Sequence, residues 1–460
     1  MYRREFFPGE PYLVLSTGNG PRAGCATSLR GLIPHAGGAP GADAAKPRVA
    51  EEGPACSVET ITSYQRFLEI EPLWNALVDE ANADNPFVRH EWVRSWWECF
   101  GEGHELNILL IRARHEPIGI IPLARCKRRM CGVPVRQLQF IWNVYAERCD
   151  CIVRHGCEAA YQATIEHLLE QRDWEVLLLP QLAAHSSCLA ELPRIAAGRG
   201  MRIGLRRSVD SPYVPLAGTW DSYCAGLERK HRANLRNREK RLRTLGTVTL
   251  ELVSSPEGLA AALRDGFDLE AAGWKGRAGT AIAANPEAEQ FFTRLAREAA
   301  SQGSLRLYFL ALDGVRIAFA YYLEYGRKLC LLKPGYNPEF SRFSPSNILC
   351  YFVLRDAYQR GLAEVDFLAA ADPWKLRWTK HLRSHYWLYI FPNRPEPRLL
   401  HWLKFCLRPR LAREPRLRAW RDTAARTIAT AQRLSGLRSS PPHDGAAKDM
   451  AQTTDEDEAQ

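Results

Sequence analysis

The stretch "SRFSPSNILCYFVLRDAYQRG", residues 341–361, constrains this chain more than any other. It reads as a polar loop running into a helix. It lies between "RKLCLLKPGY" (327–336) and "AEVDFLAA" (363–370), and both of these read as strands. A strand–helix–strand run makes a crossover and sets its two strands parallel in one sheet. Ser344, Pro345, Ser346 and Asn347 fall at the mouth of that helix. A helix start exposes unpaired backbone N–H groups and a partial positive charge, so it holds an anion or caps itself. Pro345 suits the first turn, where its missing N–H costs nothing, and Ser344 is a plain N-cap on the second reading.

Two other segments share a form. "LNILLIRARHEPIGIIPLAR" (106–125) and "LRLYFLALDGVRIAFAYYLEYG" (305–326) each read as a strand, a tight turn and a returning strand, the second with Asp313-Gly314 at its turn. Their spacing of about 200 residues points to a duplicated αβ unit, with two unrelated hairpins as the alternative. In "SYQRFLEIEPLWNALVDEA" (63–81), Phe67, Ile70, Trp74, Leu77 and Val78 share a helical face. "NPFVRHEWVRSWWECFGEG" (85–103) reads as a second helix, and "WEVLLLPQL" (174–182), a helix and "MRIGLRR" (201–207) close the first unit. A long basic helix over 219–246 follows, with Thr219 able to cap its start and Gly246 at its end.

At 460 residues the chain has room for two or three cores. Its net charge of +10 suits an anionic partner, and a nucleotide cofactor, nucleic acid and anionic lipid all fit. With no apolar run of about 18 residues, no membrane span is expected, and "PYLVL" is too short for a secretory core. Thirteen cysteines without a framework point to reduced thiols in the cytoplasm. Cys149 and Cys151 flank Asp150 with no second pair at zinc spacing, so a strand is expected there and no metal.

Several stretches together resemble one family. They are "PFVRHEWVRSWWECFG", "IGIIPL", "LERKHRANLRNREKRLRTLG", "EAAGWKGRAGTAI", "FFTRLAREAASQGSLRLYFLALDGVRIA", "KPGYNPEFSRFSPSNIL" and "GLAEVDFLAAADPWKLRW". In this order, over residues 56–392, they resemble the GNAT acyltransferases, and more narrowly a CelD-like branch linked to cellulose and exopolysaccharide biosynthesis and related to the Fem-type aminoacyl transferases. The resemblance implies an α/β fold of tandem GNAT-like domains, mixed sheets flanked by helices. Residues 1–55 are expected to be disordered, 56–215 to form the N-terminal GNAT-like domain, 216–394 the C-terminal acyltransferase domain, and 395–460 a basic and then acidic tail. It also implies acyl-CoA, most simply acetyl-CoA, as co-substrate of the second domain, with its diphosphate on the amides of Ser344, Ser346 and Asn347. The branch usually has Ser-Pro-Gly where this chain has Ser344-Pro345-Ser346, and the usual GNAT glycine-rich loop is absent.

Other residues carry paired readings. Asp366 ends a strand and Lys375 follows in "DPWKLRW". They serve as base and as anion or oxyanion partner, a role that similar residues of the Fem-like relatives support, or else Asp366 forms a salt bridge with Lys375 or Arg377. Tyr336 either assists the leaving thiolate or is a strand-end aromatic. Trp274 and Lys275 suit a sugar-like anionic ligand, or Trp274 closes the core. Arg232 and Arg236 share a helical face and match the relatives' Lys-x-Arg-x-x-Leu-Arg pattern, so they meet an acidic acceptor or face water. The tail "RLLHWLKFCLRPRLAREPRLRAW" (398–420) mixes Leu, Trp and Phe with Arg, as does a peripheral membrane contact; docking on the second domain is the alternative.

The expectation is therefore a cytoplasmic acyltransferase, with membrane contact through its tail. It would act on an amino-sugar or envelope glycan precursor by direct attack on the thioester, since no nucleophilic triad is visible. The rivals are an aminoacyl-tRNA-dependent transferase and a non-catalytic partner of polysaccharide synthesis. Apart from tRNA, no nucleic-acid partner is expected.

Overall fold

The computed structural model describes residues 12–14, 56–273, 279 and 281–413. The chain forms two compact units. One is made of residues up to Val209 together with Arg383–Arg413, and the other runs from Asp210 to Leu382.

Each unit repeats one plan. In the second, the sheet runs in the order Val248–Val253, Leu305–Leu312, Val315–Tyr325, Lys328–Tyr336, Glu364–Asp366, Ser211–Pro215. The first four strands are antiparallel neighbours. The helix Pro345–Gln359 then carries the chain over to Glu364–Asp366, which lies parallel to Lys328–Tyr336. In the first unit Leu123–Met130 and Val133–Phe140 form the hairpin, the helix Ala159–Glu170 makes the crossover, and Val176–Ala183 returns parallel to Val133–Phe140. A plan of hairpin, crossover helix and parallel return thus recurs in both units, but the first half's hairpin expected at 106–125, Ile108–Ala113 with Glu116–Ile121, lies instead in a separate four-stranded sheet with Cys56–Ile61 and Ile152–Val153. The turns of the two hairpins read from the sequence, 106–125 and 305–326, each hold two left-handed residues, Arg114-His115 (φ 49° and 74°) and Asp313-Gly314 (φ 48° and 81°), the geometry whose twist matches the flanking strands. Asp313 also accepts the Thr247 N–H at 2.7 Å.

In the second unit the sheet is covered on both faces. Tyr308, Leu310, Tyr322, Leu329 and Leu331 pack against Ile348, Leu349, Val353 and Leu354 of the crossover helix and Leu235 and Leu242 of a basic helix, Arg229–Arg243. Burying each of those large aliphatic side chains contributes about 2 kcal/mol. On the other face lie the helices Leu259–Ala272 and Pro286–Ser301. Gly266 lets the first of them approach the sheet, since a Cβ there would come within 2.5 Å of the Phe319 ring.

The structure differs from the sequence reading in several places. The long basic helix is two helices, Trp220–Gly226 and Arg229–Arg243, because Leu227 turns extended to bury its side chain; Thr219 does cap the first. Within the amino-terminal segment expected to be disordered, Tyr12–Val14 pairs as a strand with Arg202–Arg207. Residues 383–394, expected in the second domain, belong to the first unit, and the boundary falls at Asp210 rather than 216. There His385–Phe391 inserts between Arg202–Arg207 and Val176–Ala183 and buries Leu388, Ile390 and Phe391. Residues 395–413 of the expected tail are helical. The helix 63–81 breaks at Ile70 into Tyr64–Glu69 and Glu71–Glu80, yet Phe67, Ile70, Trp74, Leu77 and Val78 are all buried as their spacing requires. Among the described residues no helix is long and apolar enough to cross a membrane.

Candidate active site

The parallel pairing of Lys328–Tyr336 with Glu364–Asp366 covers only Lys328↔Glu364, Leu329↔Val365 and Cys330↔Asp366. The longer strand continues through positions 331–336 while the shorter one stops, so the parallel ladder ends at Cys330. The register with Val315–Tyr325 slips at the same level, where Tyr322 faces Leu331 and Tyr321 faces Lys333, leaving Leu332 as the extra residue of a bulge. A bulge disrupts the ladder and re-aims backbone groups, a device common beside active sites. Here it lies just past the end of the parallel ladder.

The crossover helix begins at the far end of this strand. Ser344 has left-handed backbone angles (φ 49°, ψ 59°), and its side chain makes no capping bond to the helix. Its carbonyl accepts the N–H groups of Asn347 and Ile348 at 3.0 and 3.2 Å, while the Ser346 N–H has no acceptor among the described residues. The Ser344 hydroxyl is engaged elsewhere: Arg238 Nη1 donates to Ser344 Oγ at 2.7 Å. Arg241 and Arg342 lie over the Phe343 ring at 5.7 and 4.8 Å. Guanidinium groups are therefore gathered at the positive end of a helix, an arrangement that an anion relieves. Asn347 Oδ1 is buried without a hydrogen-bond partner, a cost of about 1–3 kcal/mol unless a donor arrives. The first unit's crossover helix starts instead at Glu158, an exposed acidic residue in the N-cap position whose side chain makes no capping bond.

Arg232 and Arg236 do share a face, and together they line a pocket of about 110 Å³ between the basic helix and the crossover helix. Leu227, Leu235, Ile348 and Tyr351 supply its apolar wall, and Glu239 a carboxylate. His231 shares the buried face of the basic helix with Leu235 and Leu242 and lies edge-on to Trp378 at 4.7 Å. Burial, helped by Arg377 and Arg238, pulls its pKa down to about 4, so the ring is neutral near pH 7.

Asp366 and Lys375 meet at a loop rather than in open space. Leu368 and Ala369 both have left-handed φ values, 51° and 48°. Asp366 Oδ1 accepts the Leu368 N–H at 2.8 Å and faces the Ser211 hydroxyl at 3.3 Å. Lys375 Nζ donates to the carbonyls of Leu368 and Ala370 at 3.0 and 2.9 Å, and pairs with Asp372 at 3.2 Å. Both side chains are buried. Two consecutive non-glycine residues in that region store of order 1–3 kcal/mol each, which these bonds hold in place at the end of the short strand.

Tyr336 ends the long strand, half-buried against the core beneath the crossover helix. Beside it, Gly335 touches the helix Leu259–Ala272 so closely that a Cβ would lie 2.6 Å from the Glu270 backbone. Glu270 is itself buried and accepts the Ile282 N–H at 2.9 Å. The sequence reading missed it, because only the helix crossing brings it to the strand. Arg238 was visible merely as one of many cations on its helix. Trp274 and Lys275 lie outside the described residues.

In the first unit Asp150, Cys151 and Cys188 gather within 4.8 Å. Asp150 accepts from the Ser186 hydroxyl and the Cys151 N–H, and the two thiols touch at 3.1 Å. Burial holds both thiols above the usual range, so they pack as neutral groups.

Residues 229–376 match a family model described as "Acetyltransferase (GNAT) domain". No curated protein matches the chain. The chain is similar to several solved structures, among them FemX, at 13% identity and a TM-score of 0.48, covering 75% of this chain and 99% of that one. A conserved protein of unknown function from Bacteroides thetaiotaomicron has 12% identity and a TM-score of 0.47, with coverage of 73% and 100%. A tandem GNAT protein from the clavulanic acid biosynthesis pathway has 13% identity and a TM-score of 0.41, with coverage of 73% and 98%.

Proposed function

We propose that the acetyltransferase domain of residues 229–376, which makes this chain an acyltransferase, moves an acyl group from coenzyme A to an amine or hydroxyl acceptor. Acetyl is the simplest acyl group, and an amino-sugar or envelope glycan precursor the acceptor we favour. The observation that carries this reading is the uncapped helix mouth at Ser344–Asn347 with Arg238 held against it. Backbone amides and a guanidinium there fit the diphosphate of a coenzyme A thioester. A gap past the end of the ladder at Cys330 is our path for the pantetheine arm, and backbone donors at the Leu332 bulge are our partners for the thioester carbonyl.

Tyr336, at the end of the same strand, is our donor to the departing thiolate. Asp366 and Lys375 act as positioning residues, since their polar atoms grip the Leu368–Ala370 turn that borders the gap. Arg232 and Arg236, with Tyr351, offer a basic and partly aromatic pocket for an anionic acceptor or for the remaining phosphate of the cofactor. Trp274 and Lys275 remain our candidates for the sugar.

Calorimetry with acetyl-CoA tests the assignment. Micromolar binding that Ser346→Glu abolishes supports it, because a carboxylate would then occupy the helix mouth. Absence of heat at millimolar ligand would overturn it. The second reading is an aminoacyl-tRNA-dependent transferase, favoured by Arg229, Lys230, Arg236, Lys240, Arg241 and Arg243, all solvent-exposed on one helix. A gel shift with bulk tRNA that collapses with added salt, together with no acetyl-CoA binding, would select it. Failure of both assays would leave the non-catalytic partner of polysaccharide synthesis.

A further inference from the structure

Among the described residues, the carboxy-terminal helices of the first unit have one face docked and one face exposed. The chain runs through Pro395–His401, a π-helical stretch Trp402–Leu407, and Arg408–Arg413. On the inner side Phe405 fills the place of an absent side chain at Gly204, where a Cβ would lie 2.2 Å from its ring. Phe405 also meets Tyr389 edge-on at 5.3 Å, and His401 Nε2 reaches the Ile203 carbonyl at 3.1 Å. On the outer side Leu399, Trp402 and Leu411 are 55%, 44% and 47% exposed. In an uninterrupted α-helix, Leu411 would point about 120° away from Leu399. The wider π turns advance less per residue and rotate it back toward Leu399 and Trp402. Arg398, Arg408 and Arg410 are exposed around this apolar strip.

We infer that this face lies on an anionic lipid bilayer, with Leu399, Trp402 and Leu411 in the headgroup boundary and the three arginines on lipid phosphates. An interfacial helix needs a one-sided apolar strip, an aromatic side chain able to lie at headgroup depth, and cations beside it. All three are present on one side of residues 395–413. Charge also selects the occupant. Between 394 and 413 the sequence has six Lys and Arg against the single carboxylate Glu396, so two copies facing each other through this strip would repel, whereas an anionic leaflet attracts it. Lys404 is turned inward over Tyr389 and takes no part. The inference does not depend on which acceptor the second unit uses.

The test is co-sedimentation of the full chain with vesicles of phosphatidylcholine alone or with about one-third phosphatidylglycerol. The expected result is partitioning about tenfold stronger onto the anionic vesicles, lost near 0.5 M salt as the charges are screened. The double substitution Leu399→Ser/Trp402→Ser should weaken it about tenfold while leaving the urea midpoint unchanged, since both side chains face outward. Equal or absent binding to the two vesicle types overturns the inference, as does a double variant that binds like the parent. Binding that appears only when residues 440–460 are removed would also overturn it, giving the face to the acidic Asp455–Glu458 run. A dimer that the double variant dissociates would give it to a second copy.

Discussion

Arg238 offers a test in which affinity and stability move separately. Its guanidinium donates to Ser344 Oγ at 2.7 Å, beside a helix start whose side chains provide no cap. Without an anion, that positive group at the positive helix end costs about 0.3–1 kcal/mol. The hydrogen bond to Ser344 returns a comparable amount, about 1 kcal/mol. Arg238→Ala should therefore leave the unfolding free energy of the ligand-free protein within about 1 kcal/mol of the parent. With a diphosphate bound, the same guanidinium makes a charge-assisted bond worth about 1.5–3 kcal/mol, a factor of roughly 10–150 in affinity. Calorimetry would compare acetyl-CoA with acetyl-pantetheine, which lacks the phosphates. Acetyl-CoA should lose that factor in the variant, and acetyl-pantetheine should bind parent and variant alike. The reasoning is refuted if both ligands weaken equally, or if acetyl-CoA binds the variant unchanged.

Lys375→Met should cost about 2–4 kcal/mol in urea unfolding, because the buried Leu368 carbonyl and the partly buried Ala370 carbonyl lose their donor and the left-handed Leu368–Ala369 turn loses its anchor; a variant of unchanged stability but no turnover would instead make Lys375 a chemical participant. Gly335→Ala should destabilise by about 1–3 kcal/mol, read from the thermal midpoint, since the new methyl group meets the Glu270 backbone rather than a movable side chain. His231 sets a pH dependence. Its folded pKa of about 4 lies below the 6.5 of the free side chain, so between these values the unfolded chain binds more protons. Stability should then fall by up to about 3 kcal/mol as pH drops from 6.5 to 4, and His231→Phe should flatten that part of the profile; an identical slope in the variant would contradict it.

The chain's local patterns determined a good deal. Apolar spacing placed Phe67, Trp74 and Leu77 in a core, Asp313-Gly314 marked a hairpin, and the polar Ser344–Asn347 run between two apolar strands marked the crossover and its helix mouth. These features rest on contacts between near neighbours, which periodicity and turn chemistry report directly. Nothing local announced that His385–Phe391 would cross into the first unit's sheet, since an apolar strand looks the same whichever edge it joins. The sequence also left the jobs of several polar residues open, and these were decided by packing. Lys375 and Asp366 turned inward to hold a strained loop, Arg238 among many similar cations reached the helix mouth, and Glu270 was carried to Gly335 by a close helix crossing. A side chain's chemistry is written in its residue type, but its role depends on partners distant in sequence, and only the folded chain chooses among them.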